Sequence, residues 1–268
     1  MTLPGASDDS AGQHAYSRFW SGVGRTFPDL GGAASTTFYR TNEERLFLEH
    51  LPRLAGRRVL KTDLWDEAKN TRILFWAAEQ GAVIHGIDIS EPTARLARDA
   101  AFGRPRHFVV ADCRRIPYAT GSFDAVYSMG TIEHFDESED AVREICRVLK
   151  PGGRAIVGVP NRLDPFLRPL LVVVLSAFGL YGYGFEKSYT RGGLRRMMTS
   201  SGFRVVAETA ILFIPGWLRM LDLACHAWAR PLTPITGALV KGFALIDRHI
   251  PAVRRHGYLI VAVGEKTE

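Results

Sequence analysis

Several carboxylates and one imidazole stand where short apolar runs end, and each could meet a small ligand there. Asp88 closes the run in GIDIS. A carboxylate at that place can accept hydrogen bonds from both hydroxyls of a vicinal diol such as a ribose. It follows the preceding charged loop by about 25 residues, near the ~20 of a nucleoside-binding unit. The alternative is a helix cap, but Ser90 is better placed for that. Asp112 closes VVADC, where its carboxylate can accept from an exocyclic ring amine while the backbone of Cys113 meets a ring nitrogen; the alternative is a turn-forming Asp. In GTIEHF, His134 is a candidate general base beside Glu133, because imidazole titrates near neutrality. Its alternative is a structural histidine bonded to a neighbouring loop. VLKTDLWDEAKNT crowds Lys61, Asp63 and Glu67 into one loop after an apolar run. Unpaired charge at the end of a buried strand is costly, so these groups need partners.

The elements that must position these residues alternate in type. RRVL, AVIHGIDIS, RHFVVAD, FDAVYSM and RAIVGVP read as strands. Between them, Ile73–Ala77, EPTARLARDAA and SEDAVREICRVLK read as helices, the first ending before Gly81, the last with Ser138 as N-cap. Strands and helices alternating at this spacing predict βαβ units and a parallel sheet covered on both faces. Ligands then sit outside the carboxyl ends of the strands, near Lys61, Asp88, Ala111, Met129 and Pro160. Upstream, NEERLFLEHLPRL predicts a helix, and residues 1–15 read as a small, polar, disordered tail. Residues 16–42 carry six aromatics, too dense for a free tail, and are expected to fold over the site as a lid with Tyr16, Trp20 and Tyr39 facing it.

ADCRRIPYATGSFDAVYSMGTIEHF, EICRVLKPGGRAIVGVPN and GIDIS together resemble the class I S-adenosylmethionine-dependent methyltransferases, in the small-molecule branch that includes ubiquinone-biosynthesis enzymes. The resemblance covers about residues 55–162, with an echo in EKSYTRGGLRRMMTSSGFRVV and HGYLIVAVGEK. It implies an α/β, Rossmann-like sheet of seven strands with the last antiparallel, and S-adenosyl-L-methionine as cofactor. By the same resemblance Asp88, with Ile89 beside it, holds the ribose, Asp112 and Cys113 face the adenine, and Met129 and Gly130 pass the methionine. The chain departs from the family at the first loop, where an acid and Gly-x-Gly-x-Gly are usual. Lys61 takes the acid position, and no glycine follows. A variant cofactor site using Lys61, Thr62, Asp63 and Glu67, a decayed site in a non-catalytic binding protein, and a different ligand all remain open. The density of charge favours the first. Some relatives bind a metal through Glu-x-x-Glu-His, but Gly130 stands at the first Glu, so no metal is expected.

Two apolar insertions follow strands five and six, at about 164–186 and 215–251 of a methyltransferase domain spanning 43–268. The first includes 17 uncharged residues from Pro169 to Phe185, short of the ~20 of a spanning helix. Both are expected to emerge on the reactive side and to line an apolar acceptor pocket beside Met129, His134 and Asn161. Trp217, Trp228, Arg219, Arg230, Lys241, Arg248, Arg254 and Arg255 fit a face resting on a membrane. The expected acceptor is a small amphipathic or lipid-like molecule.

Composition sets the outer bounds. The 268 residues hold 34 basic and 28 acidic side chains, net +6, with 46% hydrophobic residues, which excludes wholesale disorder. The basic residues are scattered, so no nucleic acid is expected as partner. Three widely spaced cysteines form no metal pattern and fit a reducing compartment. The N-terminus lacks the basic start and apolar core of a signal peptide. Together these predict a cytoplasmic enzyme, with the inner membrane face as an alternative site. Oligomeric state is not legible.

Overall fold

The structure is a computed structural model and describes residues 9–51, 53–103 and 107–267. Two helices, α1 (Asp9–Thr26) and α2 (Ala34–His50), lead into β1 (Arg58–Lys61). Then come α3 (Trp65–Lys69), α4 (Ile73–Glu79), β2 (Val83–Asp88), α5 (Glu91–Ala100), β3 (His107–Val110) and β4 (Phe123–Met129). The second half holds α6 (Ser138–Val148), β5 (Leu149–Pro160), α7 (Arg168–Ala177), α8 (Arg191–Ser200), β6 (Phe203–Ile211), α9 (Gly216–Trp228), α10 (Thr233–His249) and β7 (Leu259–Lys266).

The seven strands form one sheet in the order β3-β2-β1-β4-β5-β7-β6. β1 to β5 pair in parallel, and β7 runs antiparallel to both neighbours, as the expected fold class requires. Because β7 opposes both β5 and β6, those two strands are parallel to each other. Successive strand residues point to opposite faces, which divides the interior into two cores. Val59, Ile84, Ala125 and Tyr127 face α2, α4, α5, α9 and α10; Leu60, Ile87 and Val126 face α6 and α8.

Local chemistry explains most boundaries. Ser90 caps α5, its Oγ accepting from Thr93 N, with Pro92 in the first turn. α6 buries Ala141, Val142, Ile145, Cys146 and Val148 along one stripe. Ser138 is not its N-cap: it is the first helical residue, and its hydroxyl donates back to Ile132 O and Phe135 O, bracing the loop after β4 instead. Residues 9–15, expected as part of a disordered tail, form the start of α1; residues 1–8 lie outside the described residues. Position 42 falls inside α2, whose Phe38, Tyr39, Leu46 and Phe47 belong to the core. No helix among the described residues is long and apolar enough to cross a membrane.

Candidate active site

A cavity opens at the carboxyl ends of β1, β2, β4 and β5. On its floor Asp88 accepts from the Leu64 amide at 2.8 Å and the Ser90 amide at 2.7 Å, one on each oxygen. Each oxygen keeps a second lone pair for a ligand hydroxyl. Burial pushes this carboxyl up to about 7 despite the two amides. Ile89, Ser90, Ala111, Asp112 and Cys113 continue the wall. Asp112 is gripped by Arg114, whose Nη2 lies 2.7 Å from Oδ2. Met129 and Gly130 face the cavity from β4, and Gly130 adopts φ +70°, which a glycine takes without strain.

The glycine-free loop turns one of its side chains down into the sheet. Leu64 is fully buried and packs down on Gly86 of β2; a Cβ at Gly86 would lie 2.4 Å from Leu64 Cδ2. The side chain that would have filled the cofactor's approach is thereby turned into the sheet. Lys61 is fully buried too, 2.7 Å from Asp63 Oδ1, 2.9 Å from Asp66 Oδ2 and 3.6 Å from Glu67 Oε2. Burial alone would lower the Lys61 pKa, but the three carboxylates hold it well above its ordinary value. Burial raises Asp63, and Glu67 to about 7.

Much of the remaining lining is aromatic, with Tyr16 close to the Asp112–Arg114 pair. α1 brings Tyr16 and Trp20, α2 brings Tyr39, and the loop after α7 brings Tyr181 and Tyr183. Trp20 meets the His134 ring edge-on at 4.8 Å. His134 Nδ1 lies 2.8 Å from Phe185 O. A carbonyl only accepts, so Nδ1 carries the proton and Nε2 of the neutral ring keeps a free lone pair. Burial lowers the His134 pKa, which favours that neutral form. Burial, then the neighbouring Glu186, raises Glu133 well above the carboxylate range. Arg168 pairs with Glu186 through both guanidinium nitrogens and stacks over Tyr258 at 4.1 Å. Arg219 on α9 lies 5.0 Å from the centroids of both Tyr39 and Tyr258 and makes no ion pair among the described residues.

Thr62, Asp63, Asp88, Ile89, Asp112, Cys113, Met129, Gly130, Glu133 and His134 thus share one cavity with Tyr16, Trp20 and Tyr39. Three expectations need correction. Lys61 and Glu67 do not line it: they form a sealed cluster under the loop, because a buried ammonium needs several carboxylates at once. Asn161 does not line it either; its amide braces the end of β5, donating to Gly257 O and accepting from Leu163 N. Arg219 points inward between two tyrosine rings, not to an interface. The sequence reading missed Asp66, Arg168, Tyr181, Tyr183, Glu186 and Tyr258. One signal was available. Arg168 and Glu186 flank the uncharged run Pro169–Phe185, and they close it by pairing with each other.

With this geometry in place, similarity to known proteins can be weighed. A family model described as a methyltransferase domain matches residues 68–157, from the end of the glycine-free segment through most of β5. The demethylmenaquinone methyltransferase of Thermus thermophilus is 30% identical over 175 residues, covering 58% of this chain and 77% of that one. Phosphoethanolamine N-methyltransferase 1 of Triticum aestivum is 33% identical over 129 residues, but the chain spans only 25% of that enzyme's length. A Thermotoga maritima S-adenosylmethionine-dependent methyltransferase, described as a possible histamine N-methyltransferase, has the same fold, with TM-score 0.59, 18% identity and coverage of 95% and 99%. The strand order, the acids at the strand ends and the Thermus relative agree, and the chain belongs to the class I S-adenosylmethionine-dependent methyltransferases.

Proposed function

We propose that the protein transfers a methyl group to a small acceptor with an apolar body. The observation that carries this reading is one cavity that joins nucleoside-type acids, Met129 and Gly130 to a cluster of aromatic side chains. The residues fit the cofactor. Asp88 has lone pairs to spare for two ribose hydroxyls, and Asp112 with the Cys113 backbone suits an adenine edge. Four buried polar atoms of the lining, Trp20 Nε1, Glu133 Oε2, Arg168 Nε and Arg219 Nε, have no hydrogen-bond partner among the described residues. Asp63 and Asp66 suit an α-ammonium, while Arg219 offers a fork to an α-carboxylate. S-adenosylmethionine, when bound, supplies a sulfonium methyl for in-line displacement.

The protein's part is alignment and exclusion of water. α1 closes the chamber as a lid, held by Ser17 Oγ donating to Ile89 O and by Phe27 packing on Trp65 and Tyr183. His134 accepts the acceptor's proton on Nε2, and Glu133, held neutral by burial, is not available as the base. Tyrosines, Met220 and Leu223 enclose an apolar acceptor body. The quinone-type substrate in the Thermus relative's name is of this kind.

Calorimetry with S-adenosylhomocysteine and 5′-methylthioadenosine tests the cofactor half. Arg219→Gln should weaken the first by about tenfold, the worth of a lost charge-assisted hydrogen bond, and leave the second unchanged. No binding of either ligand by the unaltered protein would refute the reading. Equal loss of both would show that Arg219 shapes the cavity without meeting the carboxylate.

A further inference from the structure

The helices of the two insertions bury one side and leave an unusual outer one. On α7, Leu170, Val173, Val174 and, just beyond the helix, Phe178 are exposed at helical spacing. On α9, Trp217, Leu221 and Trp228 share one stripe, with Trp228 76% exposed. On α10, Ile235, Leu239 and Ile246 form a stripe continued by Ile250. α7 packs on α9, and α9 on α10, so the stripes belong to neighbouring helices. Such stripes normally face a core; exposed together, they mark an interaction surface.

Charge identifies the partner. Each acidic residue in 162–186 and 212–256 is withdrawn: Asp164, Asp222 and Asp247 are buried, and the Glu186 side chain is 6% exposed in its pair with Arg168. The exposed formal charges are all positive: Arg162, Arg230, Lys241, Arg248 and Arg255. A second copy of the same face would bring like charges together. An anionic lipid surface would take both the apolar stripes and the basic residues.

We propose that the outer faces of α7, α9 and α10 dock this protein on a bilayer containing anionic phospholipid. α9 then serves two sides: Trp217 and Leu221 enter the interface while Arg219, Met220 and Leu223 line the cavity. An apolar acceptor dissolved in the bilayer would reach the chamber past a single helix. Docking itself needs neither cofactor nor turnover, so it stands or falls apart from the methyl-transfer reading.

The test is flotation of the full chain with phosphatidylcholine vesicles, with and without phosphatidylglycerol. Binding should be at least about tenfold stronger to the anionic vesicles and should weaken as salt rises. Leu170→Glu with Ile235→Glu should abolish it. Arg230→Glu, between the stripes of α9 and α10, should weaken the anionic preference. Thermal unfolding confirms that each variant is folded, and the salt dependence of the unaltered protein needs no variant at all. Absence from both vesicle fractions overturns the proposal, and so does equal binding to both. Binding that survives the Leu170 and Ile235 changes overturns the assignment to this face. A concentration-dependent dimer broken by Ile235→Glu would show instead that the face joins two copies.

Discussion

Asp88 shows how one buried carboxylate ties recognition to pH. Its pKa of about 7 means that ionising it inside the fold is harder than in the unfolded chain, where the value is ~3.9. The free protein therefore loses stability as pH rises between those two values. Ribose hydroxyls donate to the ionised form, so binding selects it. Affinity for S-adenosylhomocysteine should be level above about pH 8 and fall by up to about tenfold per unit below about 7. Calorimetry across that range would expose a flat profile, which removes Asp88 from the contact. Lys61 acts differently, holding three acids together. Lys61→Met leaves Asp63, Asp66 and Glu67 without their cation and should cost about 3–5 kcal/mol. The pKa values of Asp63 and Glu67, already raised by burial, rise further in the variant, so ionisation above the unfolded value destabilises it more. The loss of melting temperature should be larger near pH 8 than near pH 5.5, where protonation relieves it. A uniform loss at both would show that packing, not charge, is what Lys61 supplies.

At the scale of elements, the loop after β1 and strand β2 are one device. Family loops keep glycine beneath the cofactor; here the loop has none, and its Leu64 fills the space above Gly86 of β2. Gly86→Ala should push Leu64 out of its site at a cost of about 1–3 kcal/mol. It should also weaken S-adenosylhomocysteine binding, since the Leu64 amide orients Asp88. Leu64→Ala in the same chain restores room for the new methyl. The double variant should thus be more stable than the summed single effects predict, as a double-mutant cycle by chemical denaturation would measure. Simple additivity would mean that the two residues do not share the space.

For the whole molecule, the common carboxyl-side exit of β5 and β6 decides where the insertions go. Both leave the sheet on the reactive side, and they build the chamber and its outer face from the same helices. An acceptor series of rising chain length at a fixed head group should gain specificity constant steeply, since each buried methylene contributes ~0.8 kcal/mol. A flat series would mean that α9 and the loop after α7 do not touch the acceptor.

The sequence alone determined the alternation of strands and helices that makes a parallel sheet, the acids at its strand ends and the apolar nature of the insertions. These follow from local patterns: short apolar runs ending in Asp88 and Asp112, and Ser90 before Pro92. Only the tertiary structure decided how charge is shared. Lys61 and Glu67 sit in the same loop as Asp63, yet a turn of helix α3 seals them beneath it while Asp63 and Asp66 reach the cavity. Arg219 looks like one more surface cation in a basic, apolar segment; its inward position depends on Tyr39 and Tyr258, 180 and 39 residues away in the chain. Such choices depend on which groups become neighbours once the chain is folded: three carboxylates gather around Lys61, and two tyrosine rings receive Arg219.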